Sequence, residues 1–268
     1  MKIGITARPG LEGSIPLTEK IINHLNEKEV KTFLSPELGS ALDLEGTPVN
    51  EMPVDCLITL GGDGTVLRNV HELPETPILG INLGGRGFLA DVSPENSLEA
   101  IDKLIEDDLK TYERTKLSVK INGKKIGDAL NEGVVRLKDP STMIKSKVIM
   151  DGEEVEKLVG DGIIISTPTG STAYALSAGG PVMDPKIDAF LAVPLATHRP
   201  KALPLVFSMD SKLELEILEP EKEVYITLDG QMTEQAQNVK KITFEKSENS
   251  AKFYKWKSKF YEKIKEKL

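Results

Sequence analysis

Residues 160–181 read GDGIIISTPTGSTAYALSAGGP, and the rest of the chain is organised around this stretch. An acidic turn leads into the apolar run 163–165, which predicts a strand, and a hydroxyl-rich segment with Pro168 and Gly170 then predicts a turn. Hydroxyl groups and bare backbone at the end of a strand suit a polar ligand that itself carries several hydroxyl groups, and Tyr174 offers a flat face beside them. The alternative interpretation is a hairpin turn that happens to be rich in serine and threonine.

The sequence on both sides of this stretch predicts β-structure. An Asn-Gly pair at 122–123 separates two extended segments, which is a strong signal for a hairpin. Further extended segments, such as 212–217 and 224–228, follow one another at intervals of roughly ten residues with turns between them. We therefore expect an all-β, β-sandwich-like C-terminal domain over residues 111–248.

The first part of the chain has a different pattern. Residues 54–60 form a nearly continuous apolar run, which is typical of a buried parallel strand, and the run ends in GGDGT at 61–65. Helical periodicity follows over 66–73, and strand-like and helical segments alternate through residues 1–110. This alternation predicts an N-terminal α/β domain of Rossmann-like type with a mainly parallel sheet.

The tail of the chain, residues 249–268, is predicted to be a C-terminal helical segment. Its apolar residues recur at spacings of three and four, and the opposite face is mostly lysine. The apolar stripe consists of Phe253, Trp256, Phe260, Ile264 and Leu268. We expect the stripe to dock on the protein's own core, with contact to a membrane surface as the alternative.

Composition excludes several classes of protein. The net charge of −8 argues against a general nucleic-acid binder, which would carry a basic face. The single cysteine, Cys56, rules out an internal disulfide and suits a reducing compartment, while its place in an apolar run predicts a small buried side chain. No run approaches the roughly 20 apolar residues of a membrane helix, and no signal peptide is visible. We expect a cytoplasmic protein that binds neither nucleic acid nor membranes.

The GGDGT turn predicts a phosphate-binding loop. Because it follows a buried parallel strand and opens a helix, it lies where ligands bind in open α/β sheets. Gly61 and Gly62 let the backbone approach a phosphate closely, and the helix N-terminus offers N–H groups to it. Thr65 and Arg68, in the first helical turns, would complete the phosphate site. Neither a P-loop motif nor a G-x-G-x-x-G after the first strand is present.

Asp63 is the candidate catalytic residue. A carboxylate beside a bound phosphate repels it, so the aspartate is unfavourable there unless it has a task. The natural task is to act on a hydroxyl group next to that phosphate, either as a general base or as the hydrogen-bond acceptor that orients it. The alternative interpretation is that Asp63 caps the helix that follows.

Asn131, Glu132 and Gly133 fall between two β-segments. The adjacent amide and carboxylate could contact different parts of one ligand, and Glu132 could accept two hydrogen bonds from a vicinal diol such as the ribose 2′ and 3′ hydroxyls. A hairpin turn explains the three residues equally well. A similar argument applies to Asp161. A buried carboxylate without a partner is unfavourable, so we expect Asp161 to contact a ligand amide or a cation.

Four motifs together resemble the NAD kinase family in their order and spacing. These are GGDGT at 61–65, NEG at 131–133, the long stretch 160–181 and DGQ at 229–231. GGDGT alone is shared with diacylglycerol and sphingosine kinases, whereas STPTGSTAY is much more specific to NAD kinases. The resemblance covers nearly the whole chain.

The resemblance implies an activity and a fold. NAD kinases transfer a terminal phosphoryl group, from ATP or in some members from polyphosphate, to the 2′-hydroxyl of the adenosine ribose of NAD. A divalent metal cation, usually Mg²⁺, accompanies the donor, and the proteins are homodimers or homotetramers. Their N-terminal α/β domain and C-terminal β domain are followed by a segment that packs back on the first domain. The substrate site is expected between the two domains.

The resemblance also assigns roles to residues. Asp63 would be the proton acceptor, with Gly64 and Arg68 beside it. Asn131 and Glu132 would hold the adenosine part of the dinucleotide. The nicotinamide end would meet Asp161. The remaining positions assigned to the dinucleotide pocket are Thr172, Ala173, Tyr174, Ser177 and, near them, Gln231.

Two positions depart from the family pattern. Many bacterial members carry an arginine two residues before the aspartate of the GDG turn, where this chain has Val159, with Lys157 as the candidate replacement. The segment that follows the long motif is also altered, and His198 in it is interpreted as a surface histidine rather than a catalytic one.

Two other functions compete with an NAD kinase. A lipid or sphingoid-base kinase would share GGDGT, but it would need a large apolar groove rather than the hydroxyl-rich residues of the second domain. A nucleotide-binding regulator without turnover is disfavoured by Asp63, because a protein that only binds anions gains from losing that negative charge.

Overall fold

The computed structural model describes residues 1–8, 10–84, 87–198, 202–257 and 260–267. The helices are α1 Ser14–Glu27, α2 Pro36–Leu42, α3 Asp63–Glu72, α4 Ser97–Ile105, α5 Tyr174–Ser177 and α6 Phe260–Lys267. The strands of the first half are β1 Lys2–Ala7, β2 Lys31–Leu34, β3 Cys56–Gly61, β4 Ile78–Asn82, β5 Thr111–Ile121, β6 Lys124–Ala129, β7 Glu132–Leu137 and β8 Ile144–Met150. The later strands are β9 Glu153–Gly160, β10 Gly162–Ser166, β11 Ala189–Leu195, β12 Leu205–Ser208, β13 Leu213–Ile217, β14 Val224–Leu228, β15 Met232–Ala236 and β16 Lys241–Tyr254.

The chain divides into two compact units. The first unit combines Met1–Glu113 with Ser250–Leu268, and the second is Arg114–Asn249. The first unit is an α/β layer structure around a parallel sheet, and the second is built from antiparallel strands. The fold class predicted from the sequence is confirmed for both. Among the described residues, no helix combines the length and the apolarity that a membrane crossing requires.

The sheet of the first unit has the strand order β2-β1-β3-β4, with parallel neighbours throughout. On one face, Ile3 and Ile5 belong to the apolar core that also contains residues of α1 and α4. On the opposite face, Asn69 of α3 donates to the hydroxyls of Thr6 and Thr59, at 2.6 and 2.8 Å. These hydrogen bonds hold α3 against β1 and β3. The helix follows the carboxyl end of β3 after a single residue, Gly62.

The second unit contains two sheets that share one apolar core. The first has the order β12-β11-β10-β7-β14-β15 with antiparallel neighbours, and the second includes the run β16-β13-β8-β9 and the hairpin of β5 and β6. Side chains of both sheets, such as Val135 and Phe244, are fully buried in this core. Asn122 and Gly123 both have positive φ at the tip of the β5–β6 hairpin, as the predicted turn requires.

The helical prediction for the tail is wrong in its first part. Strand β16 continues to Tyr254, and Phe253 pairs in parallel with Ile78 of β4. Ala251 and Phe253 are buried while Lys252 between them is exposed, so the local period is two rather than 3.6. The spacing from Phe253 to Trp256 fitted a helix, but pairing along the edge of the parallel sheet decides the conformation.

The apolar part of the tail still packs on the first unit. Trp256 is buried in the core that contains Ile3 and Ile5, and α6 begins at Phe260. Among the described residues of the tail, helix is found over Phe260–Lys267, and Leu268 of the predicted stripe lies outside the described residues.

Candidate functional site

Strand β3 turns into α3 without an intervening loop. The helix begins at Asp63 itself, and Gly62 precedes it with an extended backbone. The Gly62 carbonyl accepts from the N–H of Thr65 at 3.0 Å and of Val66 at 3.3 Å. A Cβ on Gly61 would lie 2.6 Å from the Thr65 hydroxyl oxygen, so glycine is required there for the tight turn. Asp63, Gly64 and Thr65 thus form the first turn of the helix.

The Asp63 carboxylate is held by a segment that follows β4. Its Oδ2 accepts from the backbone N–H of Phe88 at 2.5 Å, while Oδ1 accepts from Leu89 at 2.9 Å and Ala90 at 3.3 Å. A Cβ on Gly87 would lie 2.5 Å from Asp63 Oδ1, so this segment approaches the carboxylate as closely as the backbone allows. Asp63 makes no side-chain cap to its own helix, which removes capping as the reason for an aspartate here.

Gly62 and Gly64 have no structural need to be glycine. Neither has a positive φ, and a Cβ at either position would meet no described atom within 4 Å. Both positions open onto the surface beside the first turn of α3. Arg68 is exposed on the same helix, four residues after Gly64. The first turn of α3 therefore presents open backbone with a cation nearby, as a bound phosphate would need.

A buried aspartate organises the site of the second unit. Asp229 follows β14 in a turn with Gly230, and both residues have positive φ. Its carboxylate accepts from the backbone N–H groups of Leu130 and Asn131 at 2.7 Å and of Glu132 at 3.0 Å. Three charge-assisted hydrogen bonds fix the backbone that leads into β7. The sequence had singled out the DGQ motif for Gln231, whose side chain is exposed, and missed the role of Asp229.

Asn131 and Glu132 are buried, yet each keeps an acceptor without a partner among the described residues. These atoms are Asn131 Oδ1 and Glu132 Oε2. Burial, reinforced by the charge of Asp229, raises the pKa of Glu132 to about 8. Buried polar atoms normally have hydrogen-bond partners, so two adjacent exceptions point to a ligand that supplies donors.

Three hydroxyl groups of the stretch 160–181 have a different role from the one expected. Ser166, Thr167 and Ser171 are buried and bond to the protein's own backbone. The Thr167 hydroxyl donates to the Leu130 carbonyl at 2.6 Å, and the Ser166 hydroxyl donates to the Asn131 carbonyl at 3.2 Å. The hydroxyls of Ser166 and Thr167 therefore hold the backbone around Asn131 in place, while the Ser171 hydroxyl bonds to the backbone of Pro168 and Met183.

A cavity of about 480 Å³ lies beside Glu132 in the second unit. Of the predicted site residues, it brings together Glu132, Asp161 and Tyr174. Asn131 is adjacent in the chain, whereas Thr172, Ala173, Ser177 and Gln231 are not part of the cavity wall. The wall also contains residues that the sequence did not assign to the site, among them Arg136, Asp139, Thr142, Thr227 and Asp229.

Asp161 is exposed, which contradicts the premise of burial that led to its prediction. It sits between β9 and β10, and its N–H donates to the Leu195 carbonyl at 3.0 Å. Its carboxylate is exposed to solvent and therefore needs no partner to offset burial, and it borders the cavity.

The positions that depart from the family pattern lie away from the cavity wall. Val159 and Lys157 lie on β9, and Lys157 is exposed within 3.9 Å of Glu154. His198 is outside the cavity wall.

Two family models match the chain. Residues 3–109 match the ATP-NAD kinase N-terminal domain and residues 130–256 match the ATP-NAD kinase C-terminal domain. An NAD kinase of Methanothermobacter thermautotrophicus is 38% identical over 273 residues, covering 100% of this chain and 96% of the relative. An NAD kinase of Thermococcus sibiricus is 40% identical over 270 residues, covering 98% of this chain and 97% of the relative.

Solved structures agree with these matches. An NAD kinase from Archaeoglobus fulgidus, in complex with ATP, superposes with a TM-score of 0.80 at 31% identity and covers 99% of both chains. A yeast NADH kinase shares the fold with a TM-score of 0.86 at 24% identity, over 99% of this chain and 86% of the yeast chain. The matches span both units. The chain is an enzyme of the NAD kinase family.

Proposed function

We propose that the protein transfers the terminal phosphoryl group of ATP to the 2′-hydroxyl of the adenosine ribose of NAD. The 2′-oxygen attacks the terminal phosphorus, the bond from that phosphorus to the bridging oxygen breaks, and NADP and ADP are formed. In such reactions most of the acceleration comes from positioning and electrostatic stabilisation. Family membership supports the activity, and the roles of individual residues below are inferred from their geometry.

The observation that carries the proposal is the pair of buried acceptors at Asn131 and Glu132. Asn131 Oδ1 and Glu132 Oε2 have no partner among the described residues, although both lie out of contact with solvent. Adenosine offers the donors that these atoms need, namely the ribose hydroxyls and the amino group of adenine. Tyr174 is 48% exposed at the cavity wall and offers its ring face for stacking. A dinucleotide that entered from this cavity and reached Glu132 and its neighbour Asn131 would satisfy groups that the protein leaves unsatisfied.

The donor phosphates are assigned to the first turn of α3. Gly62 and Gly64 leave room beside the helix N-terminus, where backbone N–H groups and the helix dipole favour an anion. Arg68 adds a cation on the same helix. This arrangement also fits the net charge of −8, because binding would depend on local contacts rather than on long-range attraction.

Asp63 is assigned as the acceptor of the hydroxyl proton. Its carboxylate has about four acceptor positions, and the described residues fill three of them. Oδ1 accepts two hydrogen bonds and Oδ2 accepts one, which leaves a position on Oδ2 for a substrate hydroxyl. The three N–H groups hold the carboxylate in one orientation, so its position does not have to be fixed again at the moment of reaction.

A divalent cation, probed first as Mg²⁺, is part of the proposal. The described residues contain no group of three His, Cys, Asp or Glu side chains that could hold a metal. This fits Mg²⁺ bound mainly by the donor's phosphate oxygens, with at most one or two carboxylates of the protein. The cation would neutralise charge on the transferred phosphoryl group. A cytoplasmic location remains a prediction from the sequence composition, and assembly as a homodimer or homotetramer remains a prediction from the family resemblance.

The activity is tested by measuring NADP formation with purified protein. We expect NADP from NAD and ATP in the presence of Mg²⁺, and loss of activity when EDTA removes divalent cations. Parallel reactions with inorganic polyphosphate decide whether it also serves as donor. Diacylglycerol in place of NAD is the negative control. Full activity in EDTA would exclude the metal, and turnover of diacylglycerol without turnover of NAD would contradict the proposed acceptor.

The role of Asp63 is tested with Asp63→Asn. We expect kcat to fall by about 10²–10⁴-fold, which is the usual contribution of a general base, while the affinity for NAD is kept. Steady-state kinetics and calorimetry measure the two quantities separately. A kcat close to that of the wild type would show that the carboxylate only supports the backbone of residues 88–90.

The role of the α3 N-terminus is tested with Gly64→Ala. Alanine stabilises a helix by roughly 0.5–1 kcal/mol relative to glycine, so the melting temperature should stay the same or rise. The added methyl group would occupy the space assigned to the donor, and KM for ATP should increase about tenfold with a smaller effect on KM for NAD. Glu72→Ala, an exposed change at the other end of α3, is the control. An unchanged KM for ATP would place the donor elsewhere.

The role of Glu132 is tested by the pH dependence of NAD binding. The pKa of about 8 means that Glu132 is largely protonated at pH 6, whereas a diol donates best to the ionised carboxylate. Binding should then release a proton, and the affinity should rise by up to tenfold per pH unit between about pH 6 and pH 8 and level off above. Glu132→Gln, of the same shape but without the titration, should bind more weakly and show no slope. Calorimetry in buffers of different ionisation enthalpy measures the proton released. An equal slope in both proteins would contradict the role of Glu132.

A further inference from the structure

The segment that holds Asp63 is itself held by the last helix of the chain. We call residues 87–91 the carboxylate loop, because the N–H groups of Phe88, Leu89 and Ala90 donate to Asp63. Lys263 of α6 donates from Nζ to the Phe88 carbonyl oxygen at 2.6 Å. The same ammonium forms an ion pair with the carboxylate of Asp91. Phe88 is thus bonded on one side to Asp63 and on the other to Lys263.

The contact between α6 and the carboxylate loop is buried. Lys263 is only 8% exposed, and the side chain of Asp91 is 10% exposed. The rings of Phe88 and Phe260 lie against each other in a tilted arrangement, with centroids 6.1 Å apart. A buried ammonium is unfavourable unless it is paired and hydrogen-bonded, so α6 can dock in this way only when the loop places Phe88 and Asp91 around it.

The helix and the loop depend on each other. An isolated helix of eight residues is too short to be stable in water, so α6 needs its contacts with the loop and the core to form. In return, a charge-assisted hydrogen bond and an ion pair from one ammonium fix both ends of the segment Phe88–Asp91. Because Asp63 takes its orientation from that segment, a shift of the loop would shift the carboxylate as well.

We infer that Lys263 is a positioning residue for phosphoryl transfer. It acts through the carboxylate loop, which directs the remaining acceptor position of Asp63 Oδ2 towards the substrate hydroxyl. The inference rests on the proposed role of Asp63 as proton acceptor. It assigns the tail of the chain a part in the reaction in addition to its packing on the core. Loss of Lys263 would loosen the orientation of Asp63 and leave the groups assigned to ligand binding in place.

The test compares Lys263→Met with Lys265→Met. Both changes remove one positive charge from α6, but Lys265 is exposed and Lys263 is buried against the loop. Misplacing a catalytic group by a fraction of an ångström to 1 Å has large effects on rate, so we expect Lys263→Met to lower kcat about tenfold. KM for NAD and for ATP should change less than twofold, and Lys265→Met should match the wild type.

Each substitution is then combined with Asp63→Asn in a double-mutant cycle. If Lys263 acts through Asp63, Lys263→Met should have no further effect on the residual kcat of Asp63→Asn. An equal loss of kcat in both backgrounds would show a general structural effect and overturn the inference. A wild-type kcat for Lys263→Met beside an inactive Asp63→Asn would overturn it too, while leaving the proposed function intact. A wild-type kcat for Asp63→Asn would instead refute the proposed proton acceptor.

A milder variant covers the case in which Lys263→Met does not fold, which its melting temperature would show. Phe260→Leu keeps an apolar side chain in α6 but removes the ring that lies against Phe88. We expect it to lower kcat about threefold in the wild-type background and not at all with Asp63→Asn. An unchanged kcat, or the same threefold loss in both backgrounds, would overturn the inference.

Discussion

The buried Asp229 carboxylate is the interaction on which the cavity of the second unit depends. It accepts hydrogen bonds from the N–H groups of Leu130, Asn131 and Glu132. Three successive residues are thus fixed by a side chain about a hundred residues further along the chain. From the other side, Thr167 and Ser166 donate to the carbonyls of Leu130 and Asn131. With its backbone groups taken up in this way, the segment can present the Asn131 and Glu132 side chains without further support.

The first unit uses the same device in a more open setting. Asp63 also accepts three consecutive backbone N–H groups, but it is only partly buried and lies at the start of α3. The difference in exposure separates the two roles. Asp229 is only 4% exposed and holds the backbone that leads into β7, whereas Asp63 is partly exposed beside the turn assigned to the donor phosphates. The three N–H groups stabilise the negative charge of Asp63, which offsets part of its repulsion of a phosphate bound nearby.

Glu132 shows that the cavity is formed at a cost to the stability of the free protein. Its carboxyl group is buried next to Asp229, which raises its pKa to about 8, and one of its oxygens has no partner among the described residues. Well-packed apolar side chains would be more stable at such a place. A ligand with hydroxyl donors, as proposed for this cavity, would remove the penalty, and part of its binding energy would then come from groups left unsatisfied beforehand. The hydroxyls of Ser166 and Thr167 help to make this possible by fixing the backbone of Leu130 and Asn131.

The sequence by itself determined the features that depend on neighbouring residues. Alternating strands and helices predicted the α/β unit, the Asn-Gly pair at 122–123 predicted a hairpin, and GGDGT after an apolar run predicted a turn at the end of a parallel strand. Family motifs singled out Asp63 and Glu132 as candidates because the spacing of the motifs along the chain is itself the signal. These properties are encoded over a few residues, where backbone preferences and side-chain periodicity act directly.

Only the tertiary structure decided which groups meet. The partners of Asp63 lie 25 to 27 residues away, and those of Asp229 lie 97 to 99 residues away, so no local pattern could reveal them. Phe253 fitted a helical stripe equally well, until pairing with Ile78 placed it in a strand. The hydroxyls of Ser166 and Thr167 could have faced a ligand, but the backbone at Leu130 and Asn131 needed donors. Long-range hydrogen bonding chooses among conformations that the local sequence leaves nearly equal, and that choice determined the geometry of the site.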